Sequence, residues 1–223
     1  IMKLENSFLS DKKVLLVGAG GHASVCLDLC IRNNISLFAV VSPEHPGAAF
    51  KQLQWFQSDN DVLTFDTNDV VLINGLGSLP YNHKRQEIYQ FFATRGYDFM
   101  SINDPSAIIS DNATLNTGVQ VLPRAIINSG ALIKENSIIN SGAIIEHDVT
   151  VGQNCHIAPG ANLSGGVNVG NNVHIGTGAN IIQGLTIGHN SIIAAGATVN
   201  KSIPDNHIVY APKMTVTPIK EKR

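Results

Sequence analysis

One histidine in this sequence stands between two carboxylates, in the run Glu146-His147-Asp148. A neighbouring carboxylate can orient an imidazole and stabilise its protonated form, and a general base needs both effects. His147 is therefore the first candidate for a catalytic residue. No serine or cysteine stands in a recognisable nucleophile motif, which favours direct attack between bound substrates over a covalent enzyme intermediate.

Two more histidines, His156 and His174, are 18 residues apart and allow a second kind of chemistry. Three imidazoles that converge around an open position can bind zinc, and this pair could supply two of them. The sequence offers no convincing third ligand. The other possibility is acyl transfer, in which a histidine deprotonates an acceptor that attacks a thioester. His189 lies among turn residues, and we expect it to be inert.

The longest regular feature of the chain must position these residues: sixteen consecutive hexads run from Ala107 to Ser202. The third residue of every hexad is Ile, Leu or Val, and the last three are mostly turn formers. Side chains alternate along an extended chain, so the first and third positions point inward and the second points outward. Three hexads make one triangular coil, and the repeat predicts a left-handed parallel β-helix of about five coils.

The register assigns a direction to individual side chains. Cys155 occupies an inward first position, so it is predicted to be a core residue, whereas His156 points outward and His147 lies in a corner.

An apolar stripe is predicted on the outside of the β-helix. Ile108, Ile126 and Ile144 occupy the second position one coil apart, and Leu132 and Ile138 do so on the other two faces. Exposed aliphatic stripes usually mark protein contacts. We therefore expect the early coils to pack against sister subunits around a three-fold axis, as a homotrimer.

The residues before the hexads have a different pattern. Strands are predicted at 14–17, 37–41 and 70–73, and helices from after Ala23 to about Ile31 and at 82–96. Strands that alternate with helices indicate a small parallel α/β unit of Rossmann-like type. The predicted domains are an α/β domain at 1–105, the β-helix at 106–202 and a C-terminal cap or tail at 203–223.

A glycine turn, Gly18-Ala19-Gly20-Gly21-His22-Ala23, follows the first strand and matches the dinucleotide fingerprint G-x-G-x-x-A. Backbone amides at such a helix N-terminus can approach a phosphate closely. An NAD site would also need an acidic residue at the end of the second strand, where Ser42-Pro43 stands. The turn therefore favours a phosphate-bearing ligand that is not a dinucleotide, with a purely structural turn as the alternative.

Composition disfavours several classes of partner. The chain has 223 residues and a formal net charge of −2, so nothing favours nucleic acid or an anionic membrane. Cys26, Cys30 and Cys155 are an odd number without framework spacing, which suits a reducing compartment. No signal peptide or membrane span is recognisable. We expect a cytoplasmic protein.

Four features together resemble a known family: the turn GAGGHA, the strand end INGLGS, the hexads, and the run NSGAIIEHD followed by CHIAPG. Over nearly its whole length the chain is similar to bacterial nucleotide-sugar acetyltransferases, a family that includes UDP-4-amino-sugar and GDP-perosamine N-acetyltransferases and sialic acid O-acetyltransferases. The resemblance implies an acetyl-CoA-dependent N-acetyltransferase of bacterial glycan biosynthesis, acting on the amine of a nucleotide-linked amino sugar. It also implies a homotrimer with active sites between adjacent β-helices and no metal.

The resemblance further assigns roles to matching positions. His147 falls on the catalytic base, Asp148 on the acidic residue beside it, and His156 on a second active-site histidine. Gly165 falls where a backbone amide could hold an oxyanion. The residues implied in binding are Asn140 and Glu146 for the acceptor sugar; Gly18, Gly20, Gly21, His22, Ser42, Asn74 and Gly75 for the nucleotide; and His156, Gly165, Gly166 and His174 for acetyl-CoA.

Three alternatives stay open from the sequence. The acceptor could be a hydroxyl, on sialic acid or a related sugar; the protein could be a zinc-dependent hydratase; or it could be a non-catalytic scaffold. The sugar and the nucleotide base are not fixed, because Ser42-Pro43 stands where uridine-binding members often carry aspartates. The segment at 209–213 only approximates the family's C-terminal motif, so adenine contacts are not assigned there.

Overall fold

The computed structural model describes residues 12–213 and 215–216, which form a small α/β domain followed by a triangular β-helix. Residues 1–11 of the predicted first domain, and 214 and 217–223 of the predicted tail, lie outside the described residues. Among those described, no helix has the length and apolar character needed to cross a bilayer. The α/β elements are β1 (Lys13–Val17), α1 (Gly21–Arg32), β2 (Leu37–Val41), a 3-10 turn (Ala48–Phe50), β3 (Gln54–Phe56), α2 (Asp59–Val62), β4 (Val70–Asn74) and α3 (Lys84–Ala93).

The strands of this domain form one parallel sheet in the order β3-β2-β1-β4. Its central strands are continuous apolar runs because helices cover both faces. Leu16 packs towards α1, and Leu15 packs towards Phe92 of α3. The sequence predicted three strands, and this was wrong: β3 was missed because it has three residues and no alternation of buried and exposed positions.

The β-helix has three flat faces, each a parallel sheet of two-residue strands, and its coil is left-handed. The first face contains β5 (Ile102–Asn103), β8 (Gln120–Val121), β11 (Ile138–Ile139), β14 (His156–Ile157), β17 (His174–Ile175), β20 (Ile192–Ile193) and β22 (Ile208–Val209). The second contains β6 (Ile108–Ile109), β9 (Ile126–Ile127), β12 (Ile144–Ile145), β15 (Asn162–Leu163), β18 (Asn180–Ile181) and β21 (Thr198–Val199). The third contains β7 (Thr114–Leu115), β10 (Leu132–Ile133), β13 (Thr150–Val151), β16 (Asn168–Val169) and β19 (Thr186–Ile187).

The hexad register explains both the strands and the corners. Side chains at the first and third positions, such as Ala143 and Ile145, are fully buried in the prism. Every sixth residue from Gly118 to Gly196 has a positive φ, which Gly and Asn adopt most easily. Apart from Arg124, the only other residue type at this position is Asp148, at φ 59°. Asp148 therefore takes a backbone conformation that Gly and Asn adopt more easily.

The ends of the β-helix differ from the predicted boundaries. Ile102–Asn103 already pairs with β8, upstream of the predicted start at 106. At the other end Ile192 pairs with Ile208, sixteen positions later, whereas His174 pairs with Ile192, eighteen positions later. The last coil is two residues shorter, so the coil continues past Ser202 out of register with the hexads.

The α/β domain packs on the lower part of the first face. Ile138 is only 1% exposed, because it packs with Met100, Ile102 and Leu122 in the α1 side of the core. The outward direction of Ile138 was predicted correctly, but its exposure was not. The sheet's carboxyl edge and the loop after β4 are thereby held against the outward side chains of the first face.

Candidate active site

His147 and Asp148 lie in the corner between the second and third faces. His147 Nδ1 and Asp148 Oδ2 are 2.9 Å apart, and both side chains are largely exposed. A carboxylate only accepts, so Nδ1 carries the hydrogen and Nε2 keeps its lone pair. The hydrogen bond to Asp148 raises the pKa of His147, and the negative charges of Asp148 and Glu146 add to this effect. The pair has the arrangement of an oriented general base.

Glycines leave space around this pair. Gly165 lies one coil above His147, and a Cβ at Gly165 would come within 2.5 Å of His147 Nε2. Gly130 lies one coil below Asp148, and a Cβ there would collide with Asp148 Oδ1. His147 Nε2 therefore lies close to Gly165, in a space that any larger side chain at that position would fill, and Gly166 follows in the same corner.

The N–H of Gly165 is available as a donor. In some other corners the equivalent N–H is capped by a side chain: Ser141 N donates to Asn140 Oδ1, and Gln153 N donates to Asn171 Oδ1. Within the part of the chain that the structure describes, the Gly165 N–H donates to no acceptor. An uncapped amide beside a general base can stabilise an oxyanion.

His156, the second predicted catalytic histidine, lies on the first face. Its Nδ1 is 2.8 Å from the carbonyl oxygen of Ser78, in the loop after β4, and its Nε2 is 2.9 Å from Asn140 Nδ2. His174, one coil above, packs edge-on against it with ring centroids 5.0 Å apart. Asn140, His156 and His174 are thus brought together, and the α/β domain contributes Ser78 to the group.

His147 and His156 are not brought together within one chain. A triangular prism places each corner opposite one face, and the corner between the second and third faces is opposite the first face. His147 and His156 therefore lie on opposite sides of the same β-helix. Among the described residues, no group of three His, Cys, Asp or Glu side chains could hold a metal ion.

A cavity of about 440 Å³ lies beside His174, between the loop before α3 and the first face. One wall is a ladder of amides in which Asn154 donates to Asn172, Asn172 to Asn190, and Asn190 to Asn206, at 3.0–3.2 Å. The cavity extends the surface around His156 along the prism axis.

The glycine turn lies at the carboxyl edge of the sheet, between β1 and α1. Gly18 has φ +107° and packs against Gly75. Gly20 and Gly21 are exposed with open space around them, so their backbone can be approached by a phosphate. Ser42 is buried, and its carbonyl accepts a hydrogen bond from Trp55 Nε1 at 2.9 Å.

Two residues predicted to contact the nucleotide have their side chains in the junction between the two domains. Asn74 is 1% exposed, and its amide donates to the Arg85 carbonyl and to Asn136 Oδ1. His22 Nε2 is 2.7 Å from Gln120 Oε1, and burial, with the charge of Arg85, lowers the pKa of His22 to about 4. The side chain of Asn74 therefore holds the two domains together, because a buried polar group must be paired.

Sequence reasoning missed the residues that make this junction. Gln120 is fully buried and donates to the Asn74 carbonyl at 2.8 Å. Arg85 is buried, and its guanidinium donates to the carbonyls of Asn74, Leu76 and Asn136. The available signal was the glutamine at an outward position of the hexad VQVLPR, among apolar outward residues in the early coils.

Cys155 is confirmed as a core residue. It is 1% exposed inside the prism, and burial raises the pKa of its thiol to about 12. A thiol in that state is not a nucleophile at neutral pH.

Comparisons with known proteins agree with this architecture. A family model described as bacterial transferase hexapeptide (six repeats) matches residues 130–165. PerB from Caulobacter crescentus, solved with CoA and GDP-perosamine, is 30% identical, with 88% of this chain and 92% of that chain covered and a TM-score of 0.79. The acetyltransferase domain of PglB from Neisseria gonorrhoeae, solved with acetyl coenzyme A, is 25% identical, with 89% and 96% covered and a TM-score of 0.81.

A third structure, WeeI from Acinetobacter baumannii, shares the fold at 22% identity, with 88% and 95% of the two chains covered and a TM-score of 0.78. No curated protein sequence matches the chain. The resemblance inferred from the sequence motifs is confirmed by the PerB match, which spans both domains. The chain belongs to the hexapeptide-repeat family of nucleotide-sugar acetyltransferases.

Proposed function

We propose that the chain transfers the acetyl group of acetyl-CoA to the amine of a nucleotide-linked amino sugar. The observation that carries this proposal is the corner at His147, where Nδ1 is held by Asp148 and Nε2 lies close to Gly165. The similar structures support the choice of substrates, since one contains CoA with GDP-perosamine and another contains acetyl coenzyme A.

In the proposed reaction, the sugar amine attacks the thioester carbonyl while His147 Nε2 accepts the amine proton. Asp148 keeps the proton-accepting nitrogen directed outward and stabilises the imidazolium that forms. The N–H of Gly165 donates to the carbonyl oxygen as it becomes an oxyanion. Collapse of the tetrahedral intermediate breaks the carbon–sulfur bond, and the proton on His147 leaves with the coenzyme A thiol.

The α/β domain is proposed to hold the nucleotide of the acceptor. The exposed backbone of Gly20 and Gly21, at the N-terminus of α1, suits a diphosphate. The same edge of the sheet faces the first face of the β-helix, where Ser78 contacts His156. A nucleotide bound there would direct its sugar towards Asn140 and His156.

One active site containing both histidines requires a second subunit. His147 is opposite the first face of its own chain, so the corner of one copy must meet the first face of the next. Such head-to-tail contacts close into a ring, and the aliphatic stripe offers a contact surface for it. Ile108 is 65% exposed, and Ile126 and Ile144 are partly exposed. We propose the homotrimer on this basis.

The experiment that tests the function is coenzyme A release measured with a thiol reagent. A panel of UDP-, GDP- and CMP-linked sugars, each with an amine or only hydroxyls, identifies the acceptor. Release with an amino sugar and not with its hydroxyl counterpart supports N-acetylation. Release with hydroxyl acceptors alone would show O-acetylation, and zinc-dependent hydration without coenzyme A release would contradict acetyl transfer.

Mixing two inactive variants should restore activity if the site is shared between subunits. His147→Ala, which removes the proposed base from the corner, would be co-expressed with Asn140→Ala, which removes the proposed acceptor contact beside the first face. The mixed oligomers would be purified by two different tags. In a closed ring of three, every trimer that contains both variants has one of its three interfaces with both sites intact, about a third. Activity near that fraction is expected. If mixed oligomers stay as inactive as each variant alone, the two residues belong to the same chain's site.

A further inference from the structure

The protonation state of His156 follows from its two partners. The Ser78 carbonyl oxygen, 2.8 Å from Nδ1, can only accept, so Nδ1 carries a hydrogen and donates it. Asn140 Nδ2, 2.9 Å from Nε2, can only donate, so Nε2 supplies the lone pair. Both contacts are satisfied only by the neutral tautomer with its hydrogen on Nδ1. The lone pair that a general base needs is already occupied by Asn140.

The surroundings of His156 favour the neutral ring. It is largely buried, and burial together with the neighbouring His174 lowers the pKa of His156 to about 4. His22 and Arg85 lower it further, and Arg85 carries a positive charge. No carboxylate is among the groups that affect it, in contrast to His147 beside Asp148.

Asn140 is fixed at both ends of its amide. Its Oδ1 accepts from Ser141 N at 2.8 Å, and one hydrogen of Nδ2 goes to His156. These two contacts define which end is oxygen and which is nitrogen. The Asn140 side chain is partly exposed. Its second Nδ2 hydrogen and the second lone pair of Oδ1 are therefore available to bind a substrate.

We propose that His156 is a positioning residue and not a proton-transfer residue. The Ser78 carbonyl of the α/β domain anchors the His156 ring, and the ring fixes the amide of Asn140. This amide then orients the amine of the acceptor. The proposal rests on the proposed function, because it assigns the acceptor-binding role to Asn140. It adds a physical link from the loop after β4, beside the proposed nucleotide site, to the sugar-binding side chain. His147 is left as the sole base.

Two conservative variants separate positioning from proton transfer. The amide of a glutamine reaches the place of Nε2, so His156→Gln can still accept from Asn140. The shorter asparagine reaches the place of Nδ1, so His156→Asn keeps the bond to Ser78 and loses the one to Asn140. We expect His156→Asn and His156→Ala to lose roughly 10- to 100-fold in kcat/KM for the acceptor, as for a misplaced reactant. His156→Gln keeps the contact to Asn140 and loses the one to Ser78, so it should lose less activity than either of these variants.

Three further measurements separate positioning of the acceptor from proton transfer and from a general structural defect. The midpoint of the acidic limb of the pH profile should be the same in wild type and all His156 variants. KM for acetyl-CoA tests the acetyl-CoA contact that the resemblance implied for His156, and the positioning role requires it to stay near the wild-type value. In an Asn140→Ala background, His156→Ala should add less than about twofold, because the two residues act as one unit. His189→Asn, in an exposed corner, is the control and should be silent, because asparagine can still accept from Asn171 N at the place of His189 Nδ1.

The tautomer can be read without any substrate, by ¹⁵N NMR of the histidine ring nitrogens with His156→Gln used for assignment. A protonated Nδ1 and an unprotonated Nε2 are expected at neutral pH. A hydrogen on Nε2, or a His156→Gln variant as inactive as His156→Ala with a displaced pH midpoint, would overturn the proposal. Failure of the proposed function is separate: it would appear as no coenzyme A release from the wild type with any acceptor, whatever the tautomer.

Discussion

Replacement of His147 by alanine should lower kcat/KM by roughly 10²–10⁴-fold, the usual contribution of a positioned general base. The imidazole is exposed in a corner and is not part of a hydrophobic core. The variant should therefore fold normally, and the loss should be in catalysis. The measurement is the rate of coenzyme A release at saturating acetyl-CoA, with thermal unfolding as a check on folding. Wild-type activity in His147→Ala would remove this residue from the mechanism.

The pH dependence of the wild type tests the same residue independently. His147 can accept a proton only when it is neutral, and its hydrogen bond to Asp148 raises its pKa. Activity should therefore fall as the pH is lowered, with a midpoint above the ordinary histidine pKa of about 6.5. Asp148→Asn removes the negative charge, so the acidic limb of the pH–activity profile should move to lower pH and kcat should fall. An unchanged limb in Asp148→Asn would show that another group titrates.

The hexad register predicted those parts of the site that depend on local geometry. An alternating chain with a turn every six residues places Cys155 inside, His156 outside and His147 in a corner, and the structure has all three there. It also explains why Asp148 is informative. Its position takes a positive φ, where glycine or asparagine would suffice for the turn, so the carboxylate is explained by its contact with His147.

The register could not predict contacts between distant parts of the chain. His22 and Gln120 are 98 residues apart, and their contact depends on how the α/β domain docks on the first face. The same docking buries Ile138 and engages the amide of Asn74, a residue that the family resemblance implied in nucleotide binding. Motif matching identifies a position, but the position's neighbours decide whether its side chain is free to bind a ligand.

Replacement of Gly165 by alanine should reduce kcat by roughly 10²-fold or more without unfolding the protein. The added Cβ would lie 2.5 Å from His147 Nε2, the atom that accepts the proton. The exposed imidazole can swing away at little cost in stability, but it then leaves its position beside the Gly165 N–H. Misplacement of a reacting group by about 1 Å costs rates of this order. Coenzyme A release and the melting temperature are the paired measurements.

Gly184→Asn is the control, at a glycine in the same corner one coil above Gly166. Its φ of +68° and open surroundings accept asparagine, which has φ 56° at the equivalent Asn154. That variant should stay within about twofold of wild type, as surface substitutions usually do. NMR of the histidine ring nitrogens reports whether His147 keeps its hydrogen bond to Asp148. In Gly165→Ala we expect the His147 signal to change, because the ring has moved. Full activity in Gly165→Ala would mean that catalysis does not need Nε2 of His147 where the structure places it.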